Sequence, residues 1–142
     1  MADLDKLIEV NQYKLDGYKP VVDYKSWRVA ILNYCEELLP GSIDKMQRHA
    51  ETDEVFVLLK GRCILFVAEG EQEIGAIHAQ DMEPLKVYNI KKSVWHTHTL
   101  SEEAVVLIVE NRDTDLANSP EKNLSQEQQK KLEKLTKLKW DQ

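Results

Sequence analysis

At 142 residues and 16.5 kDa the chain has the size of one domain, long enough to bury roughly two-thirds of the surface its unfolded form exposes. A formal net charge of −6 and a pI near 5.3 argue against a nucleic-acid partner, whose phosphates call for clustered Lys and Arg, and leave small molecules as the expected ligands. No apolar run is long enough to span a bilayer and the opening MADLDKLIEV is acidic where a secretory leader would be basic, so the expected location is the cytoplasm, with no membrane partner.

Along the chain, DGYKP at 16–20 signals a turn before the alternating run VVDYKSWRVAILNY, in which a strand is expected over 27–34. Pro40 and Gly41 break it, and 45–49 begins the next strand. The runs 55–59 and 62–68 are apolar, β-branched or aromatic, and Lys60-Gly61 between them is a tight-hairpin candidate. After the polar turn EGEQE come 74–78, 87–90, 95–100 and 105–110, separated by MEPL, KKS and SEE. Strands this short and this regularly punctuated predict an all-β sandwich or barrel. RDTDLANSPEKN reads as a surface connector. Ser125 with Gln128 then fits a capping box, and Leu132, Leu135 and Leu138 recur at helical spacing, predicting a helix over about 126–139. Its lysines form a solvated face, and its leucines are expected to pack on the sheet or on another subunit. Cys35 and Cys63 lie in apolar runs and read as buried structural thiols.

One stretch carries chemistry. In GSIDKMQRHAETDEVFVLLKG, the residues Gly41, Gln47, His49, Glu54 and Gly61 follow the spacing G-x5-Q-x-H-x4-E-x6-G. On an extended strand Gln47 and His49 share a face. Glu54 opens an apolar run that can return beside them, and an imidazole and a carboxylate converging across neighbouring strands can hold a divalent metal.

The spacing resembles the first motif of the cupin family, with Gln47 where that motif has its first histidine. The second cupin motif, G-x5-P-x-G-x2-H-x3-N, can be laid on IKKSVWHTHTL with His96 as the histidine; Leu85, Lys91, Ser93 and Leu100 then replace its first glycine, proline, second glycine and asparagine. The resemblance covers 41–100. It implies a single-domain jelly roll, the barrel over about 20–112, followed by the C-terminal helix. It also implies one divalent metal, zinc, nickel, iron or manganese, held by His49, Glu54 and His96 with Gln47 at the fourth place. His98 is two residues from His96 on the same face, where it could restore a third imidazole or stand higher in the barrel mouth and bind substrate or water.

Cupins include dioxygenases, isomerases, epimerases, decarboxylases and non-catalytic binders, so the resemblance names no reaction. A metal-dependent enzyme, a metal-free binding or sensing module, and an acid–base isomerase or epimerase with His49 as base and Tyr88 or Tyr34 as acid all stay open. Gln47, Arg28, Tyr34, Phe56 and Tyr88 are the candidate contacts to a small polar ligand. Arg62 and His78 read as surface residues, and Glu51 and Asp53 as turn carboxylates, Glu51 within reach of the rim. Valine, leucine and isoleucine on outer strand faces need covering, which predicts a homodimer.

Overall fold

The computed structural model describes residues 3–141, which contain ten strands and one α-helix. The strands are β1 (Gly17–Tyr24), β2 (Trp27–Asn33), β3 (Lys45–Gln47), β4 (Glu54–Lys60), β5 (Cys63–Ala68), β6 (Ile77–Asp81), β7 (Val87–Ile90), β8 (Trp95–Leu100), β9 (Val105–Asn111) and β10 (Glu121–Asn123), and the helix is α1 (Gln126–Trp140). Two antiparallel sheets face each other, one in the order β1-β2-β9-β4-β7 and the other β10-β3-β8-β5-β6. The chain crosses between them after β2, β3, β4, β6, β7, β8 and β9. That is a jelly roll with one extra strand on an edge of each sheet.

The alternation of each strand sets what lies inside. Ala30 and Leu32, Phe56 and Leu58, and Val106 and Ile108 point inward from β2, β4 and β9 to meet Cys63, Leu65 and Leu100. On β5 both registers are apolar because both faces are covered: Ile64 and Phe66 point outward beneath Leu132 of α1. The capping box that starts α1 is present, with Gln128 N donating to Ser125 Oγ at 3.1 Å and Ser125 N to Gln128 Oε1 at 2.9 Å. Arg62 fastens the other end, bonding to Asp81 and to the carbonyls of Lys139 and Trp140.

Four local expectations are corrected. Lys60-Gly61 is no hairpin: β4 and β5 lie in opposite sheets, and the pair turns the corner between them. Gly61 there has φ +74°, and a Cβ would stand 2.6 Å from Ala104 Cα, so only glycine fits. The DGYKP turn is the start of β1, where Pro20 is tolerated because this edge strand pairs on one side only. The connector after β9 ends in β10, which pairs with β3. Finally, β6 lies at 77–81 rather than 74–78, since the preceding turn extends to Ala76 and is closed by Glu69 N to Ala76 O and Gly75 N to Glu69 O.

The backbone also bears on the second motif. Leu85 (φ 67°) and Ser93 (φ 68°), the two residues laid on its glycines, both adopt the left-handed conformation that favours glycine. Ser93 N donates to His49 O at 2.8 Å, tying the loop before His96 to the first motif.

Candidate metal and ligand site

β3 ends at Gln47, which pairs across the sheet with His96 of β8, and His49 follows just beyond the strand. Glu54 opens β4 in the facing sheet, so the cluster closes across the barrel interior rather than between neighbouring strands. Glu54 Oε1 is 3.2 Å from His49 Nε2 and 3.0 Å from His96 Nε2, and all three side chains are buried. Among the described residues these three form the one group of His, Cys, Asp or Glu whose donor atoms all lie within 4.8 Å of one another.

The other nitrogen of each imidazole is engaged as well. His49 Nδ1 hydrogen-bonds with Ser119 Oγ at 2.7 Å, and that hydroxyl also lies 3.2 Å from Asn118 Oδ1. His96 Nδ1 lies 3.0 Å from the Val94 carbonyl, which can only accept. A neutral His96 therefore turns a bare Nε2 lone pair toward Glu54 Oε1. His96 Nε2 has no hydrogen-bond partner despite its closeness to that oxygen. Burial alone would push the Glu54 carboxyl up, but the two imidazoles hold it well below the ordinary carboxylate range. Burial likewise opposes charge on His49, and Glu54 outweighs it, raising the imidazole above its usual value. These atoms are arranged around a positive charge, which a divalent cation or a shared proton could provide.

Beside the cluster lies a cavity of about 570 Å3. Its walls come from β1, β2, β9 and the start of β4 on one side and β10, β3 and β8 on the other, with loop residues from 35–38 and 114–119 at the rim.

No family model and no curated protein matches the sequence. Solved structures do match the fold. The Streptomyces nucleoside dehydratase Pac13 aligns over 82% of this chain and 88% of its own, with a TM-score of 0.55 and 6% identity. A cupin-2 domain protein from Shewanella frigidimarina aligns over 77% and 91%, at 22% identity and a TM-score of 0.47. The QdtA 3,4-ketoisomerase of Thermoanaerobacterium thermosaccharolyticum aligns over 66% and 64%, at 18% identity and a TM-score of 0.49. The chain has the cupin fold.

Within this cupin barrel the expected site residues separate. His49, Glu54 and His96 converge, and Gln47, Arg28 and His98 join them in lining the cavity. His98 lies outside the group of three. Its Nδ1 is buried without a partner, and burial lowers its imidazole to about 4, so it is neutral near pH 7. Arg28 does not offer its guanidinium to a ligand: it bonds to Glu110 Oε1 and to the carbonyls of Arg112 and Thr114. Tyr34, Phe56 and Tyr88 do not line the cavity. Phe56 is fully buried, its ring 5.8 Å from that of His98 and 6.5 Å from that of His96, so it backs the site from the core. Tyr88 packs on the core and its Oη accepts from Glu83 N, while Tyr34 sits half-buried just past β2. Cys35 is half-buried and lines the cavity, unlike the buried Cys63. His78 is exposed and paired with Glu69.

Three functional side chains were missed. Tyr18 was hidden in the supposed turn, and its hydroxyl bonds to Glu110 Oε1 at 2.5 Å. Glu110 shares the inward register of Val106 and Ile108, and a carboxylate on that register was the available signal. Ser119 had none, because only the path of the connector brings it to His49. Asn118 beside it bonds in turn to Glu51, while Asp53 caps the backbone of Lys92.

Proposed function

We propose that this chain binds one divalent metal ion through His49, Glu54 and His96, and holds a small polar ligand beside it in the cavity. The carrying observation is geometric: His49 Nε2 and His96 Nε2 each stand within 3.2 Å of Glu54 Oε1, while both Nδ1 atoms are already engaged, with Ser119 Oγ and the Val94 carbonyl. Mixed imidazole and carboxylate donors suit zinc, nickel, iron or manganese. A bound ion of this kind would supply Lewis acidity toward a ligand oxygen. The chain's own contribution is orientation: Ser119 and Val94 fix the imidazoles, Phe56 keeps one side dry, and His98 offers a neutral imidazole to a ligand hydroxyl. Pac13 has been solved with uridine, and the cavity volume here suits a ligand of comparable size.

Elemental analysis of protein purified without chelator tests the reading. About one divalent ion per chain is expected, lost in His49→Ala. An empty site after incubation with each of the four metals would favour the metal-free reading, an acid–base or binding site in which His49 is an imidazolium on Glu54. Tyr18, bonded to Glu110 beside His49, would then take the acid role expected of Tyr34 or Tyr88.

The outer face of the first sheet carries Val29, Ile31, Val55, Val57, Leu107 and Val109, all half-buried and, among the described residues, without a covering helix. A second copy packed there would make the protein a homodimer, and light scattering at tens of micromolar tests it. No helix among the described residues is long and apolar enough to cross a membrane.

A further inference from the structure

Three buried side-chain atoms among the described residues have no hydrogen-bond partner: His96 Nε2, His98 Nδ1 and Glu110 Oε2. A buried carboxylate oxygen left so has lost its water without a replacement. Its orientation is enforced. Tyr18 Oη at 2.5 Å, Arg28 Nη2 at 2.8 Å and Arg28 Nε at 3.1 Å all donate to the other oxygen, Oε1. With Oε1 held by three donors, Oε2 stands 3.9 Å from His49 Nε2. Glu54 Oε1 stands 3.2 Å from the same nitrogen, so both carboxylates face it.

Two atoms bound to one ion at about 2.1 Å each can be no more than about 4.2 Å apart. The separation from His49 meets that limit; Glu110 lies outside the group whose donor atoms all fall within 4.8 Å of one another, so its carboxylate has to move inward to complete the set when an ion binds. With neutral imidazoles, Glu54, Glu110 and Arg28 leave the buried cluster one negative charge in excess, and two adjacent carboxylates repel unless a cation or a proton lies between them. Gln47 offers only an amide, a weaker donor to these metals than a carboxylate.

We propose that Glu110, through Oε2, is the fourth protein ligand of the metal, in place of the histidine that Gln47 replaces. The proposal rests on the metal reading above and adds to it a donor from β9, a strand that neither motif reaches. Tyr18 and Arg28 become positioning residues, holding Oε1 so that Oε2 faces the ion. The donor set is then two imidazoles and two carboxylates, and the cavity side remains open to a ligand.

Titration of the full-length, chelator-stripped protein with Co2+, followed by visible absorption and by competition with a chromophoric chelator, tests this. One Co2+ per chain is expected in the wild type. Glu110→Gln, which removes the charge, and Glu110→Asp, which keeps it but shortens the reach, should each weaken binding at least tenfold and alter the Co2+ spectrum. Wild-type binding that is lost in His49→Ala but stays within threefold in both Glu110 variants would overturn the fourth ligand and leave the three-residue site standing. Loss in Glu110→Gln alone would also overturn it, since charge acting at a distance suffices for that. No Co2+ binding by the wild type would remove both readings. Should the Glu110 variants fail to fold by circular dichroism, the infrared difference between Co2+-loaded and metal-free wild type decides: two perturbed carboxylates support the proposal, and one overturns it.

Discussion

The barrel interior has two unlike halves. Between β4 and β7 on one side and β5 and β6 on the other, Phe56, Leu58, Cys63, Leu65, Met82 and Ile90 close the space without a charged group. Between β1, β2 and β9 and the facing β10, β3 and β8, the same inward registers carry Tyr18, Arg28, Glu110, Gln47, His96 and His98 around a cavity. The strands β4, β8 and β9 belong to both, changing from Glu54 to Phe56, from His98 to Leu100 and from Glu110 to Ile108 within one inward step. A buried ionisable cluster is costly to hold together, and the packed half provides the rigid wall against which it is held.

The largest effect should come from the packed half. Leu58→Ala removes a side chain that is 1% exposed, and should cost about 2–5 kcal/mol of unfolding free energy while leaving metal stoichiometry unchanged. Urea unfolding with elemental analysis checks both, and metal loss in the folded variant would show that the halves are not separable.

His98 supplies a test from the cavity half. Its folded value of about 4 lies below the ordinary 6.5, so the unfolded chain takes up a proton first. The neutral form's contribution is complete above about pH 6.5 and lost as the pH falls toward 4. For metal-free protein, wild type should lose on the order of 3 kcal/mol relative to His98→Gln across that window, the comparison cancelling the titration of Glu54. A difference independent of pH would show His98 to be solvated.

Smaller still is Ser119→Ala. Without its hydroxyl His49 Nδ1 loses its hydrogen-bond partner, and metal affinity should drop roughly 10- to 100-fold, read by chelator competition, with little change in unfolding midpoint. Equal affinity would mean that the connector does not orient His49. The smallest expected effect lies outside both halves: Ser125→Ala deletes the helix cap and should cost about 1 kcal/mol. Thermal unfolding checks it, and metal binding should not move.

Legibility followed the same division. The packed half was readable because unbroken apolar runs such as CILFVA admit few other roles, and the helix because its cap and leucine spacing are local. His49, Glu54 and His96 were readable through motif spacing, and Leu85 and Ser93 take the left-handed conformation at the two positions laid on that motif's glycines. Tyr18, Glu110 and Ser119 were not readable from motif spacing, since each meets the cluster through strand pairing or loop path across tens of residues.

By itself, then, the sequence determined the strand-rich architecture, the capped helix and the three motif residues, because alternation, capping and turn chemistry act over a few neighbouring positions. Only the tertiary structure decided that Lys60-Gly61 turns a corner between sheets, that Arg28 is spent on Glu110, that Tyr34, Phe56 and Tyr88 stand outside the cavity, and that one orphaned carboxylate oxygen faces the histidines. Those outcomes depend on which strands face each other across the barrel, and facing across a sandwich leaves no period in the chain for a reader to find.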